Sequence, residues 1–142
     1  MIIGIPKETL SGEHRVALVP VALPPLAKTG HRFVMETGAG TAAGFPDAAY
    51  AEKQVELVSR ADVFARADVI TQVRGLGSPG VDRADLARLR PEQTLIAMLD
   101  PLGSPAGMKD LAERKVTAFA IDRKSTRLNS SHLSVSRMPS SA

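Results

Sequence analysis

Six short apolar runs, at residues 2–5, 32–36, 56–58, 69–73, 94–98 and 117–121, recur along the chain with stretches of helical character between them. Continuous apolar runs of this length, bounded by charge, glycine or proline, suit strands buried on both faces rather than one. Stretches at 22–28, 47–53, 60–65, 82–89 and 105–114 then supply helical crossovers. Right-handed crossovers turn such an alternation into a doubly wound, mostly parallel α/β sheet with helices on both faces. Asp47 and Asp82 are expected as helix N-caps and Gly30 at a helix C-terminus. Pro24 and Pro25 would break a helix running through them, so the first helix should start near Pro24 and be short.

The pattern stops at Asp122. Residues 122–142 hold seven serines and four bases with no sustained apolar period. Without the four bases and one acid of this stretch, the rest of the chain carries fourteen charges of each sign, so the net charge of +3 belongs to the tail. Residues 122–132 can be back-translated, codon for codon, as a widely used short-read sequencing adaptor. Residues 136–142 resemble its far end, and 133–135 fall where an index would sit. The tail is therefore expected to be a non-native, adaptor-derived, disordered extension of a single domain at 1–121, although Asp122 itself can belong to either side.

A domain of this size can bury a real core, and its mean hydropathy near zero fits a soluble globular protein. Its charge balance advertises neither nucleic acid nor an anionic membrane as partner. No apolar run reaches the roughly 18 residues of a membrane span, and the N-terminus reads as a strand, not a signal peptide. The absence of cysteine excludes disulfides, thiolate metal sites and cysteine nucleophiles in this segment. No cluster of metal-ligand spacing, nucleophile elbow or phosphate-binding P-loop is visible.

Three features bear on chemistry. Gly38-Ala-Gly40-x-x-x-Gly44 follows a strand, but its third glycine falls one position late for a dinucleotide fingerprint, and Phe45-Pro46 intervene before the helix. It reads as a tight turn. Arg15, in the loop after the first strand, can grip a carboxylate or phosphate, or serve a structural ion pair. Lys7 and Glu8, at the end of that strand, either line the same cleft or pair with each other at the surface. Gly75 to Gly80 forms a loop long enough to reach over a cleft.

The run Ile3-Gly-Ile-Pro-Lys-Glu8, followed by E-x-R-V-A-x-x-P at Glu13 to Pro20, resembles the opening of the alanine dehydrogenase and pyridine-nucleotide transhydrogenase family. The likeness continues through Gly30-His31, Glu36-Thr-Gly-Ala-Gly40, Ala67-Asp-Val-Ile70 and Ala112 to Ile121. It implies a Rossmann- or flavodoxin-like domain forming one wall of a cleft, with NAD(H) held in a second domain beyond this sequence. An Arg-Ile-Ser-Arg-Ala-Gln-like loop contacting the nicotinamide should begin after Ile121. By the same resemblance Arg15 matches the arginine that binds the keto-acid carboxylate in the amino-acid dehydrogenases, and Arg74 stands where they place a substrate-contacting lysine. Asp100 stands about where those enzymes carry a histidine acid/base. A transhydrogenase moves hydride directly between two nicotinamides and needs no such group. The resemblance thus favours the transhydrogenase branch: an enzyme passing hydride between NAD(H) and NADP(H), with a second copy of its subunit and membrane and NADP-binding components as partners, peripheral on the cytoplasmic face of the bacterial inner membrane. An amino-acid dehydrogenase and a non-catalytic structural domain are the alternatives. This segment alone is expected to be inactive, to bind no cofactor tightly, to hold no catalytic residue and not to enter the membrane.

Overall fold

The computed structural model describes residues 1–76, 78 and 80–123; the serine-rich stretch from Lys124 onward lies outside the described residues. Six strands, β1 (Ile2–Ile5), β2 (Arg32–Glu36), β3 (Glu56–Val58), β4 (Val69–Arg74), β5 (Thr94–Met98) and β6 (Thr117–Ala120), form one sheet in the order β3-β2-β1-β4-β5-β6. Every pairing is parallel. This is the doubly wound arrangement expected from the alternation. Its switch point lies between β1 and β4, where successive crossovers leave in opposite directions.

The crossovers are α1 (Leu23–Ala27), α2 (Asp47–Ala51), α3 (Arg60–Arg66) and α4 (Pro105–Glu113), with a 3₁₀ segment at Arg83–Arg88 between β4 and β5. The two prolines act as anticipated. Pro24 and Pro25 sit in the first turn of a five-residue α1, where their missing amides leave no broken bond. Gly30 turns the chain out with φ +85°, a conformation cheap only without a Cβ. Asp82 caps its helix as expected, accepting from the Ala84 amide at 2.8 Å. Asp47 does not cap α2: Pro46 holds that place, and the Asp47 carboxylate reaches back to the Gly38 amide at 2.9 Å. The helix expected at 82–89 is 3₁₀ rather than α, and β6 ends at Ala120.

Alternate residues along the strands feed two cores. On one face Val34, Ile70, Leu95, Ala97 and Leu99 pack against Val63 and Phe64 of α3 and Leu111 of α4. Gly4 permits the close approach there, since a Cβ on it would lie 2.7 Å from the Ala67 methyl. On the other face Ile3, Ile5, Phe33, Met35 and Val69 pack against Leu23 and Tyr50. That second core thins toward β5 and β6, where Ile96 and Met98 are half-buried and Phe119 is 56% exposed. No helix among the described residues is long and apolar enough to cross a membrane.

Candidate functional site

In open α/β sheets ligands bind outside the carboxyl ends of the strands. Here a pocket of about 610 Å³ opens at that end, lined by His14 and Arg15 from the loop after β1, Gln72 and Val73 of β4, Met98 of β5, and Ile121. Phe45, Ala42 and Ala43, from the loop after β2, complete a mostly apolar wall.

Arg15 lies at the exposed mouth, and its guanidinium is engaged by Glu13: Nε and NH2 donate to the two carboxylate oxygens at 2.8 and 2.7 Å. Arg74, at the end of β4, approaches the same carboxylate with Nε at 3.8 Å. Both arginines singled out from the sequence therefore converge on one acid that the sequence reading did not. Glu13's own side chain is largely covered, and the hydrogen bonds from Arg15 pull its carboxyl down to about 2. An acid two residues before a candidate arginine was the available signal. With the Glu8 carboxylate, which acts through space on Arg15 and Glu13, two positive and two negative groups meet at this end of the sheet.

Gln72 is 3% exposed, and among the described residues neither its amide oxygen nor its nitrogen has a partner. A buried amide left unpaired is costly, and its position on the pocket floor makes it a ready partner for an incoming carbonyl or amide. Its signal in the sequence is a polar side chain inside the apolar run Val69–Arg74.

Glu8 does not pair with Lys7. Its carboxylate accepts from the Val73 and Arg74 amides at 2.7 and 3.0 Å, closing the crevice between β1 and β4. Burial pushes its carboxyl up, opposed by these two bonds. Lys7 instead gives its backbone amide to Glu36 at 2.8 Å. Lys7 and Glu8 do line a smaller cleft with Glu36, Arg60 and Asp85, in which Arg60 pairs with both acids. Of the loop after β4, the described residues Leu76 and Ser78 are buried rather than raised over the cleft, and the Ser78 hydroxyl donates to the Met98 carbonyl at 2.7 Å.

Asp100 faces its own turn. It has φ +45°, and its carboxylate accepts from the Gly103 amide at 3.2 Å. Asp122 accepts from the Leu99 and Asp100 amides at 3.2 and 2.6 Å, so the first residue of the suspected tail is tied to the end of β5.

The glycine turn does not fit a pyrophosphate. The Gly38 amide is already given to Asp47, and a Cβ on Gly40 would strike Tyr50 at 2.5 Å. Asp47 occupies the place where a dinucleotide fingerprint presents its amide to phosphate. No group of three or more potential metal ligands is present among the described residues.

Comparison with known proteins accords with this geometry. The profile described as alanine dehydrogenase/PNT, N-terminal domain, matches residues 4–137. The chain is 42% identical over 123 residues to NAD(P) transhydrogenase subunit alpha of Cereibacter sphaeroides, covering 86% of this chain and 23% of that protein. It is 32% identical over 122 residues to alanine dehydrogenase of Bacillus subtilis (strain 168), covering 86% of this chain and 31% of that one. A solved transhydrogenase from Sinorhizobium meliloti superimposes with a TM-score of 0.77 at 30% identity, over 84% of this chain and 34% of its own. The chain thus spans about a quarter to a third of the length of these relatives, from 23% to 34%. With its parallel sheet, its carboxyl-end pocket and a profile match over most of its length, the chain belongs to the alanine dehydrogenase/PNT family and carries that family's N-terminal domain.

Proposed function

We propose that this domain comes from the alpha subunit of a proton-translocating NAD(P) transhydrogenase, in which hydride passes between NAD(H) and NADP(H). It forms one wall of the cleft, and NAD(H) is held by a second domain outside this sequence. The observation that carries the reading is Asp100. Where an amino-acid dehydrogenase would need a group titrating near neutrality, this chain has a carboxylate turned onto the Gly103 amide. Direct transfer between nicotinamides needs no such group, because the cofactors carry the chemistry and the protein supplies binding and orientation. The occupied glycine turn supports a nucleotide site elsewhere. The greater identity to a transhydrogenase alpha subunit points the same way. A second copy of the subunit and membrane and NADP-binding components are the partners of this reading, which places the domain at the inner face of the bacterial inner membrane.

A second reading, an alanine or related amino-acid dehydrogenase, has one observation in its favour: Arg15 and His14 together line the apolar pocket. In that role Arg15 would seat a carboxylate, and Arg74 would replace a lysine that can release a proton with a group that cannot.

The test is to recover the continuation of the coding sequence past codon 121 and assay the complete protein with its neighbouring subunits. Hydride exchange between NADH and an NADP analogue, without NADH formation from alanine, is expected; the reverse result establishes the second reading. Neither activity, with the fold intact, would leave a non-catalytic domain. For the 142-residue chain, calorimetric titration with NADH is expected to show no saturable micromolar binding. Such binding would overturn the assignment of the nucleotide site to another domain.

A further inference from the structure

Strand β4 is irregular where it reaches the carboxyl end of the sheet. Thr71 pairs with Ile96 and Arg74 with Met98, so three residue steps on β4 oppose two on β5. In a regular strand consecutive amides point to opposite neighbours; an inserted residue breaks that alternation. Here the Val73 and Arg74 amides, consecutive in sequence, both reach the Glu8 side chain, one to each oxygen, at 2.7 and 3.0 Å. Successive amides aimed at one point form an anion-binding concavity. This one sits at the switch point between β1 and β4, where a doubly wound sheet opens to ligands.

We propose that the Val73–Arg74 amide pair is a carboxylate-binding site and that Glu8 is its resident occupant, an internal ligand that keeps the switch-point crevice closed to external anions. Two amides matched to two oxygens suit a planar carboxylate. The neighbouring Glu13 carboxylate, acting on Glu8 through space, works against a more highly charged phosphate. The β5 end repeats the device, with Asp122 on the amides of Leu99 and Asp100. Both crevices are thus filled by side chains from the segment after a neighbouring strand, leaving the Arg15–Gln72 pocket as the open position. The inference is independent of which family activity the full-length protein has.

The test uses the 142-residue chain and its Glu8→Ala variant, with sodium acetate as probe and sodium chloride at equal ionic strength as control. The variant is expected to melt on the order of 10 °C lower, having lost two charge-assisted hydrogen bonds. Acetate should raise its Tm saturably, by about 5 °C at ten times its dissociation constant, while moving the Val73 and Arg74 amide resonances. The parent chain's Tm should rise less than the variant's and its Val73 and Arg74 amide resonances should stay in place, since any acetate at the Arg15–Gln72 pocket acts on both chains alike. Equal responses of parent and variant, or a variant that acetate affects no more than chloride, would overturn the proposal. If Glu8→Ala does not fold in plain buffer, refolding yield becomes the readout: recovery in acetate but not chloride supports the site, and equal yields refute it. Glu8→Gln, which keeps one acceptor oxygen, should lose roughly half the Tm shift of Glu8→Ala; a Tm equal to the parent's would show that the carboxylate is not what holds the amides.

Discussion

Gln93 and Gln72 are both 3% exposed, and they mark opposite ends of the sheet. Gln93 precedes β5 at the amino-terminal end. Its amide nitrogen donates to the Phe64 and Ala67 carbonyls at 2.8 and 2.7 Å, and its oxygen accepts from the Arg90 amide at 3.0 Å. Together with the Arg90 guanidinium, which reaches the same two carbonyls at 3.4 and 2.8 Å, it closes the C-terminus of α3. Gln72, toward the carboxyl end, has no such partners among the described residues and fronts a pocket. The same side chain, equally buried, stabilises where its bonds are made and costs where they are left open. At Gln93 the buried amide is paired within the fold, and at Gln72 it faces an open pocket.

The largest effect expected from this contrast is at Gln93. Gln93→Ala removes three hydrogen bonds, leaves the Phe64 and Ala67 carbonyls to the Arg90 guanidinium alone at 3.4 and 2.8 Å, and should cost about 2 kcal/mol in urea unfolding. A loss below about 1 kcal/mol would erase the distinction between the two ends. Gln72→Leu should move the other way, stabilising the chain by about 1–2 kcal/mol because an unpaired buried amide is replaced by an apolar group of similar size. A destabilised Gln72→Leu variant would show that the amide is satisfied in solution.

Asp122 sharpens the comparison at the β5 end. Asp122→Ala should cost about 1–2 kcal/mol through the Leu99 and Asp100 amides. A deletion beginning at Asp122 should therefore lower the melting temperature, whereas one beginning at Lys124 should leave it nearly unchanged. Equal losses from the two deletions would mean that residues after Arg123 contribute to the fold, against the proposal that the tail is adaptor-derived. The smallest effect is electrostatic. The Glu13 carboxyl titrates at about 2 when folded, below its ordinary 4.5, because Arg15 hydrogen-bonds the charged form. Its contribution is fully present above pH 4.5 and is lost as pH falls toward 2. Acid unfolding of Glu13→Gln should be correspondingly less steep in that window, and an unchanged slope would detach Glu13 from Arg15.

The strands were legible because burial on both faces leaves an uninterrupted apolar run, and each of the six lies within a residue of where the runs predict it. The prolines and Gly30 were equally readable, since their backbone limits are local. Asp47 was misread because two local roles compete for it: a carboxylate before a helix can cap that helix or reach the glycine turn behind it, and the fold decides which amide is nearer. Arg15 and Arg74 were legible as cations, but their shared partner Glu13 was not, since 59 residues of chain separate Arg15 from Arg74 and only sheet order brings them together. The Lys7–Glu8 alternative failed for the same reason: Glu8's partners lie 65 and 66 residues away.

By itself, the sequence determined the alternation of strands and helices, the parallel doubly wound class, the family, and which residues carry charge near the carboxyl ends. These depend on side-chain period, local backbone limits and short motifs, all of which a linear chain displays. Only the tertiary structure decided which carboxylate each amide received. Glu8 on β4, Asp122 on β5 and Glu13 reaching Arg74 are contacts between segments distant in sequence. They exist because parallel strand order places loop ends side by side, and a hydrogen bond is set by that distance and direction rather than by sequence spacing.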